Sequence, residues 1–341
     1  MTTLFVGVDA GATRVRAGAV RVDWEQGLPR LSLAGTPHAQ VYPRAEGFEP
    51  WPLARQERDP ERPAAEVQQA AACLDATARC IAHALAAAAA PREGTVRVAV
   101  CLPGLRGADG RGIRAALHLP RMPDFVGELE RRLRGIAARL APIGRVLSDG
   151  RARGLGERFG RGGALADVSE GYYLGAGTGL AESFLSGGAV LEETRLPAGL
   201  LRAWELAAAD GSSFDARVSA AGVNRAWTRI AGGGAYPELG ADAGDERARG
   251  LLSDAGRACA ELVCHRIGLW PMVAAGRLQR VVLGQRLADW WTRACFRGSF
   301  EAELARGPEP VHDAVQVSGL AQAAVLGAVA AMIHPVREAP S

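Results

Sequence analysis

Three short stretches of this chain carry the residue types that phosphate chemistry needs. The first, Asp9-Ala10-Gly11-Ala12-Thr13, is a run of small residues between two apolar stretches. Gly11 is open to backbone angles closed to other residues, so the chain can fold back tightly and turn amide N–H groups and the Thr13 hydroxyl toward a ligand's oxygens. Asp9 beside it can hold magnesium through water, because that ion takes a carboxylate or two plus substrate phosphates. The second stretch, Gly175-Ala176-Gly177-Thr178-Gly179, repeats the design about half a chain later, so the pair suggests two related domains serving one nucleotide. The third is Leu147-Ser148-Asp149-Gly150. Phosphoryl transfer to an alcohol needs the hydroxyl oriented and its proton accepted while charge on the phosphoryl oxygens is neutralised. Asp149, after a buried-type strand and before a helix, can accept that proton; it can equally serve as the helix N-cap.

The elements that must hold these residues follow from periodicity. Residues 4–8 are apolar and 14–22 alternate basic with apolar, as paired strands do, with a third meander strand over 27–35. Residues 36–63, rich in Pro, Arg and Glu with isolated Tyr42, Phe48 and Trp51, read as a long loop, either a solvated insertion or a lid or subunit contact. A helix over 64–90 stops at Pro91. A strand over 95–101 ends in the sharp Leu102-Pro103-Gly104 turn, a helix covers 124–140, a strand over 145–147 delivers Ser148 and Asp149, and a helix covers 151–159. In the second half, strands flank the glycine turn and Gly187-Gly188 makes another hairpin. Helices are expected over 200–208, 219–230, 245–269, 287–296 and 321–333, strands over 281–283 and 315–318, and a frayed tail over 337–341. This order predicts an α/β chain with two mixed sheets, divided into domains 1–145 and 146–341, each opening on a strand-turn-strand unit.

The 341 residues, 48% hydrophobic, can bury the cores of two domains, and a net charge of +3 spread along the chain gives no nucleic-acid or membrane footprint. All 40 basic residues are Arg, so any phosphate-neutralising cation must be Arg or a metal. The six cysteines (Cys73, Cys80, Cys101, Cys259, Cys264 and Cys295) form no C-x-x-C pair and no zinc spacing, and read as buried thiols of a cytoplasmic protein. No signal segment and no long uncharged apolar run is seen.

Taken with Leu147-Ser148-Asp149-Gly150 and Val281-Val282-Leu283-Gly284-Gln285, the two glycine turns resemble those of the sugar kinase/Hsp70/actin superfamily, and within it the ROK (repressor, open reading frame, kinase) sugar kinases. Asp9-Ala10-Gly11-Ala12-Thr13-Arg14 is similar to that family's Asp-x-Gly-Gly-Thr-Lys. Ser148-Asp149-Gly150-Arg151-Ala152-Arg153-Gly154-Leu155-Gly156-Glu157 is similar to its Asn-Asp-Ala-Asn segment with a closing Leu-Gly-Glu, Ser replacing the Asn before the Asp. Pro103-Gly104 looks like its Pro-Gly turn, and Leu117-His118-Leu119-Pro120 sits where an Asn-Leu segment contacts sugar. The resemblance implies a two-domain actin-like (ribonuclease H-like) ATPase fold with an interdomain cleft that closes to exclude water. It implies ATP and Mg²⁺ as cofactors, with Asp9 serving the metal and γ-phosphate. Gly11, Ala12, Thr13, Gly177, Thr178 and Gly179 would bind phosphates, Gly284 the base side, Gly104, His118 and Asp149 the acceptor, and Asp149 would be the general base.

The implied reaction is phosphorylation of a sugar, amino sugar or sugar-like cyclitol by a cytoplasmic homodimer. Two departures stand against the pattern. Residues 197–203, where the family's Gly-Glu-x-Gly-His sugar segment falls, hold neither Glu nor His, and 209–215 lack the Cys of its zinc loop, so no structural zinc is expected. His118, Glu182, Glu192, Glu193 and Arg202 are the candidates to replace the missing sugar contacts. A non-catalytic sugar- or nucleotide-binding regulator on the same fold is the alternative. A chain that enters its first strand near residue 3, with no preceding helix-turn-helix, speaks against a DNA-binding repressor, and the absence of clustered Cys against an activator of iron-sulfur enzymes.

Overall fold

The computed structural model describes residues 3–88, 94–136, 139–208, 210–233, 236–307 and 314–334. The chain forms two compact units, 1–163 with 322–341, and 164–321. The boundary expected at 145/146 therefore falls later, and the C-terminal segment returns to the first unit. The reason is packing: the helix after Ser148 and the helix Ala323–Ile333 lie so close that a Cβ on Gly327 would meet the Ala152 carbonyl oxygen at 1.6 Å, and one on Gly156 the Ala323 oxygen at 1.9 Å.

In the first unit, β1 (Thr3–Ala10) and β2 (Arg14–Glu25) form the expected hairpin, continued by β3 (Leu28–Leu33). The segment read as a long loop instead contains β4 (His38–Val41), antiparallel to β2, and α1 (Leu53–Arg58). α2 (Ala64–Ala87) carries the crossover to β5 (Thr95–Cys101), which is parallel to β1 with Asp9 opposite Cys101. The small hairpin β6 (Leu105–Arg106) and β7 (Ile113–Ala115) and the helix α3 (Phe125–Leu133) follow; α3 ends short of the expected residue 140, which instead bridges Val96. Residues 145–147 reduce to one parallel bridge, Leu147 to Cys101, before α4 (Asp149–Phe159). The sheet order is β3-β2-β1-β5, with β4 on β2. Val6, Val8, Leu31, Ile81 and Phe125 fill its core.

The second unit repeats the topology. β8 (Gly171–Ala176), β9 (Leu180–Ser186) and β10 (Ala189–Val190) form the antiparallel meander. Positive φ angles of 56° and 79° at Gly187 and Gly188 make the hairpin turn that side chains would strain. The helix expected over 200–208 is only a 3₁₀ turn, Ala203–Glu205. α5 (Phe214–Val218), α6 (Ala220–Ala231), α7 (Pro237–Asp242) and the long α8 (Glu246–Val273) come next; Asp245 and Ser219 cap α8 and α6. β11 (Arg280–Gln285) is parallel to both β8 and β12 (Val315–Val317), giving the order β10-β9-β8-β11-β12. The helix expected over 287–296 breaks into α9 (Arg286–Trp291) and α10 (Ala294–Leu304), whose Trp290, Phe296 and Phe300 pack on α8 in a second core. The expected stop at Pro91 and the tail 337–341 lie outside the described residues. Among those residues no helix is long and apolar enough to cross a membrane. Four of the six cysteines are buried, and Cys264 and Cys295 are half-buried.

Candidate active site

The first unit gathers charge at the end of its parallel pair β1–β5. Asp9, the next-to-last residue of β1, is 5% exposed, and its Oδ2 takes Arg153 Nη2 at 3.2 Å and Arg16 Nη1 at 3.6 Å. Its Oδ1 faces the Cys101 thiol at 4.0 Å. Arg16 comes from the facing position of β2, where register sets it opposite Asp9. Arg153 lies one helical turn after Asp149 on α4 and is 7% exposed. Ser148 caps α4, its Oγ accepting from the Arg151 N–H at 3.3 Å. The Asp149 carboxylate is thereby released from the capping role that the sequence left open, and stands at the first helical position, partly buried. Burial pushes the Asp149 carboxyl up from its ordinary value, Arg153 pulls it back, and Asp9 raises it further.

The turn beside Asp9 closes through Gly11 N–H donating to the Arg14 carbonyl at 3.0 Å. Gly11 has no positive φ; its lack of a side chain matters because a Cβ would meet the Arg14 oxygen at 3.0 Å. Ala12 is half-buried and Thr13 exposed. The Tyr42 hydroxyl donates to the Gly11 carbonyl at 2.8 Å, so the segment read as insertion or lid is tied to the phosphate-type turn. The same segment grips the 104–121 stretch. Gln56 donates to the Ala116 carbonyl at 2.8 Å and accepts from its N–H at 3.0 Å. Buried Arg121 pairs with Glu66 at 2.8 Å and donates to the carbonyls of Asp59 and Glu61. A segment held by buried hydrogen bonds at both ends is a brace. Gly104, with φ 118° and no room for a Cβ beside Ile113, makes the sharp turn, and half-buried His118 follows Ala116 within the clamped stretch.

The second unit's turn is electrically different. Gly177 N–H donates to the Gly179 carbonyl at 2.9 Å, and the Gly177 carbonyl accepts from Ala220 N–H at 2.9 Å, which fastens the turn to the start of α6. Asp215 accepts from the Leu180 N–H at 2.8 Å. Gly177, Thr178 and Gly179 are half-buried. Gly284, buried in β11 opposite Gly175, has the Tyr173 ring across it: a Cβ would meet the Tyr173 oxygen at 2.2 Å. Gln285 takes the unusual φ of 58° for a non-glycine, and its amide lies over Gly175 and Gly177, within 2.7 and 2.9 Å of where their Cβ atoms would be. Farther along, Tyr236, Leu239, Arg286, Asp289 and Arg293 line an open cavity of about 390 Å³.

The residues expected to replace the sugar contacts are largely committed elsewhere. Glu182 takes Arg266 at 2.7 Å, the Tyr172 hydroxyl at 2.8 Å and the Ala203 N–H at 2.7 Å. Arg202 pairs with Glu193 at 3.7 Å and Glu205 at 3.6 Å. Glu192 is half-buried and precedes the 3₁₀ turn Glu193–Arg195. Sequence reasoning did not single out Arg16, Tyr42, Arg153 or Gln285 as site residues. The four-residue spacing of Asp149 and Arg153 on one helix was a readable signal; Gln285 lay within the stretch compared to the family's turn, but no role was read for its side chain.

Magnesium, which the resemblance implies at Asp9, does not fit there. Among the described residues no three His, Cys, Asp or Glu side chains gather as a ligand set. One or two carboxylates can suffice for magnesium when phosphates supply the rest, but the Asp9 carboxylate is already paired with two guanidinium groups. A metal beside it would meet a like charge worth several kcal/mol at ~4 Å in a protein surface environment.

No protein-family model matches the chain, and no curated protein sequence matches it. Solved structures do. The chain is 18% identical, with a TM-score of 0.64, to a ROK family glucokinase from Streptomyces griseus in complex with glucose and AMPPNP, covering 95% of this chain and 97% of that one. A ROK hexokinase from Thermus thermophilus is 20% identical with a TM-score of 0.57, over 95% and 96% of the two chains. A ROK family transcriptional regulator, a homologue of the E. coli MLC protein, is 15% identical with a TM-score of 0.60, over 96% and 77%. At these identities the likeness establishes the fold: this chain has the actin-like α/β fold of the ROK sugar kinases.

Proposed function

We propose that this chain is an ATP-dependent kinase that transfers the γ-phosphoryl group to a hydroxyl of a sugar, amino sugar or sugar-like cyclitol. The observation that carries the reading is Asp149: a carboxylate released from capping by Ser148, partly buried beside the charged Asp9 turn, on the fold of the sugar kinases. In this reading Asp149 accepts the acceptor's proton as its oxygen attacks, and its raised affinity for protons suits a base. The amides of the Gly11-Ala12-Thr13 turn and of the Gly177-Thr178-Gly179 turn orient phosphates, and Gly104 and His118 belong to the acceptor side.

The test is ADP release from ATP across a panel of hexoses, amino sugars and cyclitols. A member of the panel that accelerates release is expected; ATP binding with no acceleration by any of them would replace this reading with a second one. That reading, a sugar- or nucleotide-binding regulator, is favoured by one observation: the 197–203 segment has no Glu or His, and the Glu182 that could have served is held by Arg266. The fold's occurrence in a transcriptional regulator is consistent with it.

A further inference from the structure

Resting on the kinase reading, we infer that Arg153 is a phosphate-contacting residue, held by Asp9, and that its guanidinium supplies at the first turn the positive charge assigned to a metal. Asp9 then acts as a positioning residue for Arg153 and is not a metal ligand. Four observations carry this. The chain has no Lys, so a fixed side-chain cation must be Arg. Arg153 is buried, at the strand end where the glycine turn begins, with Nη2 3.2 Å from Asp9 Oδ2. Arg16 reaches the same oxygen at 3.6 Å, so two guanidinium groups converge on one carboxylate. Arg153 sits one turn after Asp149 and its charge acts on that carboxyl, so the guanidinium lies beside the group that would take the acceptor's proton. A guanidinium presents its donors in a fixed planar fork that matches phosphate oxygens, and the bond from Nη2 to Asp9 sets the direction of that plane.

The ligand class is a polyanionic phosphoryl donor, and the probe is ATP titrated calorimetrically into the full chain, once in EDTA and once with magnesium. The wild type is expected to bind in EDTA within about threefold of its affinity with magnesium. Arg153→Met should weaken binding in EDTA by at least about tenfold, the scale of one charge-assisted contact, and Arg153→Lys should recover part of it. Because Arg153→Met leaves buried Asp9 without one partner, the double variant Asp9→Asn with Arg153→Met provides a neutral pair and should show the same loss with a normal unfolding transition. Asp9→Asn alone should weaken binding equally in both media. A wild type that binds more than about thirtyfold better with magnesium, with that preference erased in Asp9→Asn, restores the metal to Asp9 and overturns the inference. Full-strength binding by Arg153→Met also overturns it. A wild type that binds no ATP in either medium removes the kinase reading, and this inference with it.

Discussion

The two glycine turns occupy the same place in two sheets of the same order, yet their chemistry differs. Each lies at the end of the first strand of a meander, beside a parallel neighbour: β1 beside β5 in one unit, β8 beside β11 in the other. Asp9 faces Cys101 in the first; the matched pair in the second is Gly175 facing Gly284. The first turn is therefore loaded with a carboxylate, two arginines and a tyrosine strut, and the second is built from backbone groups under the neutral amide of Gln285, with one carboxylate, Asp215, on the Leu180 N–H. Charged groups fixed in a poorly solvated place can move protons and neutralise developing charge. Bare backbone can approach a ligand closely and point N–H groups at its charge, but it takes up no proton. Under the proposed function, proton transfer falls to the first unit and close contact to the second.

The largest effect should fall on the charged side. Asp149→Asn keeps shape, and Ser148 keeps the cap, so folding should be unchanged while turnover falls by at least about 100-fold, roughly 2.7 kcal/mol of transition-state stabilisation. Turnover within a few-fold of wild type would erase the contrast between the turns. The same residue predicts a pH profile. Protonation disables the base, so activity falls on the acid side at a pH above that of an ordinary carboxyl, and Asp149→Asn lacks that limb. Stability moves the other way: a carboxyl raised in the folded state binds protons more tightly there than in the unfolded chain. Its contribution therefore becomes less favourable as pH rises from the ordinary value through the raised one. Chemical denaturation of wild type against Asp149→Asn across that window reads the sign.

Next in size is a change on the neutral side. Gly284→Ala drives a methyl into the Tyr173 ring, whose Cε2 lies 2.6 Å from the new atom, and a ring embedded in the sheet cannot swing clear as a flexible chain end does. A loss of about 2 kcal/mol in unfolding free energy is expected. A neutral urea midpoint would mean that the second turn tolerates bulk and owes little to close packing. The smallest effect is that of Tyr42→Phe, which removes one hydrogen bond to the Gly11 carbonyl. About 1 kcal/mol, near fivefold in ATP affinity by calorimetry, is the scale expected of it. An unchanged affinity would confine the brace to stability.

What was legible in the sequence is what depends on neighbours along the chain. The alternation through Arg14, Val15, Arg16 and Ala17 marked β2, the small residues marked both turns, and Ser219 and Asp245 marked helix starts that the structure uses as caps. Segment 36–63 was opaque because its partners are distant: Tyr42 bonds Gly11, Gln56 bonds Ala116, and Arg121 gathers Glu66 with two carbonyls. No local propensity encodes such ties. The helix expected over 200–208 failed for a related reason, since the Ala203 N–H and the Leu201 carbonyl are claimed by Glu182 and Arg266. Helix α8 ran past the expected end through Pro271, which falls in its last turn. At the site, the position of Asp149 was readable and its freedom from capping was not, because that turns on which of two adjacent residues takes the cap.

The helix Ala323–Ile333 has a consequence in the order of synthesis. One contact is enough to see it: Gly7 of β1 lies so close to this helix that a Cβ there would stand 2.0 Å from the Val325 carbonyl oxygen. β1 thus leaves the ribosome well before the helix that covers it. Until that helix emerges, β1 and α4 present an uncovered apolar face, while residues 164–321 already possess every element of their own core. The unit that begins earlier along the chain is completed later than 164–321, and the strand bearing Asp9 waits on a distant helix for its final shape.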